Sequence, residues 1–301
     1  MDAIRSKGQM MADTTLHSTT AIRAPGLITR LRKSVPASVA FAIFWLGLML
    51  FVVFFADLLR PYPITKMDLM ARLVPFGTPG HWLGTDELGR DVYSRLIQSI
   101  RVSLIIAFGA TILSAFFGTL LGFLAARFRG WVEQVVLMLA DFQAALPFMV
   151  LALAVLAFFG NSLTLLICLM GFYGWERYAR IARGLAISAG AQGYASAVVQ
   201  LGATPFRVYF HHILPNVAST LIVSMTLTFP EIILMESGLS FLGLGVQPPA
   251  TSLGNMVGFA REYLTQAPWI MLAPAVVIVL TTLSISLLGD WLRDKLDPTV
   301  Q

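Results

Sequence analysis

The chain has 301 residues, 57% of them hydrophobic and only 12% Asp, Glu, Lys or Arg, against about 25% charged in an ordinary soluble domain, which argues against a water-soluble fold. A hydrocarbon core about 30 Å thick takes about 20 apolar residues per spanning helix, and a mean hydropathy of +0.76 therefore predicts several spans rather than one anchor. The formal charge of +5 comes from 17 Arg and 4 Lys on the flanks of apolar segments, a pattern that topology explains better than a nucleic-acid partner does.

Residues 1–37 are polar, with Arg5, Lys7, Arg23, Arg30, Arg32 and Lys33, and read as a disordered tail. The apolar run that follows is too late and too long for a secretory signal peptide. The predicted spans are Ser38–Leu59, Val102–Ala126, Val135–Phe159, a short glycine-rich Leu163–Gly174 extending towards Tyr178, Val217–Leu239, and Trp269–Leu288. The expected fold is thus an all-α, polytopic membrane protein with six transmembrane helices. Its parts are an amino tail (1–37), a first helix and external loop (38–100), a core of transmembrane helices (101–290) with a loop at about 176–216, and a carboxyl tail (291–301).

Six spans put both termini on one side. On that side lie fourteen of the 21 Lys and Arg: six in the amino tail, two in 127–134, four in 175–216 and two after Gly289. Positive charge marks the cytoplasmic face, so both termini are expected in the cytoplasm.

A nucleotide-binding phosphate loop needs a Lys directly after Gly. The four lysines follow Ser6, Arg32, Thr65 and Asp294, so ATP hydrolysis by that route is excluded. His211 and His212 are adjacent rather than spaced for one helix face, and read as interfacial residues rather than metal ligands. The lone Cys168 precludes an intrachain disulfide. Acids within apolar segments are candidates for a pore or polar path: Asp141 before Pro147, and Glu231 and Glu236 just after Pro230. Ala110, Ser114, Gly118, Gly122 and Ala126 recur every four residues and mark a close-packing helix face, whose partner the sequence leaves open.

The segment 176–216 is far longer than a usual connector. Ser188–Gly193 breaks it, Tyr194–Leu201 suits a turn or two of helix, and Gly202-Ala203-Thr204-Pro205 breaks it again before Phe206–Asn216. Short helices separated by Gly and closed by Pro would offer a knob to a cytoplasmic partner.

This loop and its neighbours resemble the inner-membrane permease subunits of ATP-binding-cassette importers, most closely the second permease of the dipeptide, oligopeptide and nickel class. Gly202 and Leu214-Pro215 fit the spacing of the family's loop signature, while Ser196-Ala197-Val198 stands where Glu-Ala-Ala would be and His212 where an Ile would be. Three further segments are similar to the class: His81-Trp82-Leu83-Gly84-Thr85-Asp86 with Gly89-Arg90-Asp91, Ser240-Phe241-Leu242-Gly243-Leu244-Gly245 with Gln247-Pro248-Pro249, and Leu288–Asp294 with Leu296-Asp297-Pro298.

The resemblance implies a multi-pass protein of the bacterial inner membrane that forms half of a translocation pore for peptides or similar solutes. It implies a second permease subunit, two cytoplasmic ATPase subunits that bind ATP and Mg in this chain's stead, an external solute-binding protein, and contact with membrane lipid but not nucleic acid. It also implies that Tyr194, Ala195, Ser196, Ala197, Gly202, Ala203, Pro205, Leu214 and Pro215 form the ATPase-coupling loop. The competing reading is a secondary carrier or channel driven by an ion gradient, with Asp141, Glu231 and Glu236 as its ionisable groups.

Overall fold

The computed structural model describes residues 35–191, 198 and 200–296. Among these the architecture is all-helical, with only isolated bridges at Thr78/His81 and Thr85/Asp91. Helix α1 spans Ala37–Leu59, α2 Val92–Phe128, α3 Gly130–Ala145, α4 Phe148–Phe159, α5 Leu163–Gly171 and α6 Trp175–Gly190. Helix α7 runs continuously over Pro205–Phe241, followed by α8 at Leu253–Ala260 and α9 at Trp269–Leu296.

Helix starts are written in the sequence as oxygen-bearing caps. The side chains of Asp91, Ser162, Thr204 and Ser252 accept the backbone N–H of Ser94, Leu165, Arg207 and Asn255 at the starts of α2, α5, α7 and α8, satisfying donors that a helix leaves unpaired. Asp91 also takes the Ser94 hydroxyl at 2.7 Å and pairs with His81 Nδ1 at 3.0 Å. The buried Asp86 accepts the backbone N–H of Leu88 and Arg90 and the Arg90 Nε, and pairs with Arg95. The His81–Asp91 segment is therefore a folded clamp on the start of α2.

Four helices, α1, α2, α7 and α9, are each long and apolar enough to cross a membrane, and α3 with α4 makes a fifth candidate bent by 88°. Three predicted spans differ from the structure; the fifth, expected from Val217, is the later part of a helix that already begins at Pro205. The third is broken, because Leu146 precedes Pro147 and is extended (ψ 134°), as a residue before proline is steered to be. The fourth is two helices, α5 and α6, joined by Phe172-Tyr173-Gly174. Helix α6 also corrects the predicted long loop: the connector between α6 and α7 is 191–204 rather than 176–216. Helix α9 likewise continues to Leu296, through residues read as tail. The amino tail of 1–34 and residues 297–301 lie outside the described residues.

The apolar core is divided by depth. A large cluster joins α1, α2 as far as Ala110, α4, α5, α7 from Phe229, α8 and α9. Two smaller ones join α2 from Ala115, α6 and the first half of α7, and α2, α3 and α6.

Candidate functional site

The small-residue stripe of α2 lies against α6 of the same chain. A Cβ on Gly118 would fall 2.3 Å from the Trp175 carbonyl oxygen and 2.5 Å from Tyr178 Cβ, and one on Gly122 would fall 2.5 Å from the Ala179 carbonyl oxygen. Only glycine allows backbones this close. Ala110, Ser114 and Ala126 are buried in the same helix.

This seam fixes the depth of α6. The charge-free run of α2 from Val102 to Ala126 is centred on Ser114, about 18 Å from either end at the helical rise. Ser114 Oγ donates to the Tyr173 carbonyl at 2.9 Å, and a Cβ on Gly174 would touch both Ser114 Oγ and Thr228 Cγ2. Tyr173, Gly174 and Thr228 are thus near the middle of the apolar layer, and α6 runs from there beside the second half of α2.

Along α6 Arg177, Arg180, Gly184 and Ser188 are exposed, while Tyr178, Ala179, Ala182, Ala186 and Ala189 are buried. Three arginines at intervals of three reach three acids on other helices. Arg177 donates to Glu231 of α7 at 3.0 Å, Arg180 to Asp141 of α3 at 3.1 Å, and Arg183 Nε to Glu133 of α3 at 2.6 Å. Arg180 also donates to the Ala140 carbonyl at 3.2 Å.

The predicted polar-path residues therefore separate. Glu231 and Asp141 are 39% and 75% exposed and paired with α6 arginines. Glu236 is 1% exposed and differs from the expectation of a path-lining acid. It accepts the Ser240 hydroxyl at 2.7 Å and the Ser103 hydroxyl at 3.5 Å, while Ser103 also accepts the Leu253 N–H at 3.0 Å. Ser240 and Ser252 hydroxyls are 3.3 Å apart, and those of Ser99 and Thr251 2.9 Å. This cluster fastens the start of α8 to α2 and α7, so Glu236 is consumed in joining three elements.

Of the predicted coupling residues, Tyr194, Ala195, Ser196 and Ala197 lie outside the described residues. Gly202 has φ +81°, and a Cβ there would meet nothing within 4 Å, so backbone conformation rather than space demands glycine. The Ala203 N–H donates to the Val198 carbonyl at 3.3 Å, and Pro205 opens α7 behind its Thr204 cap. Leu214 N–H reaches back five residues to the Tyr209 carbonyl. This widened turn over Val208–Ile213 is followed by Leu214 and then Pro215, which lacks the N–H for an ordinary helical bond.

Residues 118–301 match the family described as binding-protein-dependent transport system inner membrane component. The chain belongs to that family. The permease is 34% identical over 254 residues to the glutathione transport system permease protein GsiD of Pectobacterium atrosepticum, covering 84% of both chains. It is 37% identical over 259 residues to the di/tripeptide transport system permease protein DppC of Pseudomonas aeruginosa, covering 84% of this chain and 86% of the relative. It is 34% identical over 254 residues to the oligopeptide transport system permease protein OppC of Bacillus subtilis, covering 84% and 83%. It is an inner-membrane transport component and not an enzyme.

Reading the permease from sequence missed Arg177, Arg180, Arg183 and Glu133. The available signal was the three-residue arginine spacing within Trp175–Gly190, which places them together on a helix; counting them as loop charges hid it.

Proposed function

We propose that the permease forms half of a translocation pore for peptides or similar small solutes, with the exposed face of α6 and Glu231 lining the path. The observation that carries this is the Arg177–Glu231 pair, 43% and 39% exposed about one helical turn from the middle of the apolar layer. Ionised groups at that depth face water or a protein partner rather than lipid. The peptide-class solute follows from the relatives' stated roles.

In this reading α1, α2, α3 with α4, α5 with α6, α7 and α9 are six crossings with both termini in the cytoplasm. The segment between α6 and α7 docks on the ATPases. A second permease completes the pore, two ATPase subunits bind ATP and Mg, and an external binding protein delivers solute. Because α6 enters that segment and α7 leaves it, a pull on it acts on both helices, coupling ATP-driven closure to alternating access.

The test is Gly202→Ala and replacement of Leu214-Pro215 by alanines in the full transporter. Uptake is expected to fall while the assembled complex stays in the membrane. Unchanged uptake by an intact complex would overturn the coupling role. Uptake by this chain reconstituted alone, without ATP or ATPase, would instead favour the carrier reading.

A further inference from the structure

Several discontinuities of the fold coincide at one depth. Helices α3 and α4 break at Leu146-Pro147, with an 88° bend. Helices α5 and α6 break at Phe172–Gly174. The two breaks touch: Gln143 Nε2 donates to the Phe172 carbonyl at 3.4 Å, and the Phe148 and Tyr173 rings lie 4.8 Å apart. Pro230 stands in α7 two residues from Thr228, which meets Gly174, and a proline within a helix removes one backbone bond.

The core clusters divide at the same level, since α2 contributes up to Ala110 to the large cluster and from Ala115 to the one it forms with α6 and the first half of α7. Packed cores move as bodies and bend where packing and hydrogen bonding are interrupted. The level of Ser114 is such an interruption.

Inside that level, α3 is attached to α6 by a small apolar contact of Val136, Ala140, Trp175 and Ala179 and by the two ion pairs Arg180–Asp141 and Arg183–Glu133. Helix α3 has no direct connection in sequence to the segment 191–204, whereas α6 ends next to it. We propose that Arg180 and Arg183 are positioning residues that lock α3 to α6, so that the two move as one inner body about the paired breaks when the segment after α6 is displaced. The Arg177–Glu231 pair has a different role. It ties this inner body to α7 near its proline and is the contact that changes during the movement.

The inference rests on the coupling role proposed above, and the experiment separates the two. The full transporter, with its partner permease, ATPases and binding protein, is reconstituted in liposomes, and solute uptake per ATP hydrolysed is measured. Arg183→Glu and Glu133→Arg are each expected to lower this ratio on the order of tenfold, and the combined exchange to recover about half or more of it, as a direct pair interaction requires. A merely structural role would lower uptake and hydrolysis together and leave their ratio unmoved, which overturns the proposal.

A second measurement holds if the single variants do not assemble. In a Cys168→Ser background, the pair Glu133→Cys with Arg183→Cys is bridged by a bifunctional thiol reagent, and separately Arg177→Cys with Glu231→Cys. Bridging the first pair is expected to restore coupled uptake and bridging the second to stop it; the opposite pattern overturns the proposal. Gly202→Ala in parallel shows which statement fails. Loss of coupling at Gly202 with none at Arg183 rejects only the locked inner body, and loss at Arg183 with none at Gly202 rejects the loop reading.

Discussion

Helices α1 and α6 sit in the same membrane protein and obey opposite rules. Helix α1 is apolar between Ser38 and Asp57 near its two ends, and many of its large side chains face outward, among them Phe41, Phe44, Phe51, Phe54 and Leu58. Its apolar length suffices for transfer to lipid, and its inner side packs on the core through Met49, Val52 and Ala56. Helix α6 carries three arginines and a glutamate in 16 residues and would not enter a bilayer by itself. It is held beside α2 by glycine-mediated contact and has each arginine matched to an acid on α3 or α7. Apolar length is enough to carry the first helix into lipid, and only the rest of the chain can place the second.

Changes that test this contrast can be ranked by expected effect. Gly118→Val is the largest, because even a Cβ meets α6 backbone. Overpacking costs about 1–3 kcal/mol or more, so a large fall in purified, folded protein and in its melting temperature is expected. Gly47→Val in α1 is the matched control, with nothing within 4 Å of its Cβ, and should leave both unchanged. If the two behave alike, the seam is not what places α6.

Glu236→Leu comes next. It strips the Ser103 and Ser240 hydroxyls of their buried acceptor at a cost of about 1–3 kcal/mol, visible as a lower melting temperature, with Glu236→Gln retaining most of the stability. Arg177→Leu should cut uptake on the order of tenfold with the amount of protein in the membrane unchanged. Asp141→Asn should be smaller, because Asp141 is 75% exposed and exposed pairs contribute about 0–1 kcal/mol. A loss larger than that of Arg177→Leu would invert the assignment of which pair matters. Phe44→Leu, on the 68% exposed side of α1, should change neither stability nor uptake.

The same contrast explains which features were legible. The α1 and α9 spans and the close-packing stripe of α2 could be read directly, because each depends on local pattern, apolar length or a period of four, whereas Thr204-Pro205, read as a break, is the capped start of α7. The break at Pro147 was signalled by the proline, but how sharply the chain would turn there was not. Glu231 and Glu236 look equivalent in sequence, five residues apart in one helix. Only the fold sends one to Arg177 and encloses the other among serines.

What the sequence determined by itself was a multi-pass, all-helical chain without a phosphate loop and with an unusual segment ahead of α7, since hydropathy, caps and motif spacing are properties of short stretches. The tertiary structure decided that residues 175–190 are a helix packed against α2 rather than a loop, and which acid pairs with which arginine. The physical reason is that a charged helix packed beside an apolar one depends on partners for its arginines, and those partners come from helices tens of residues away in the chain.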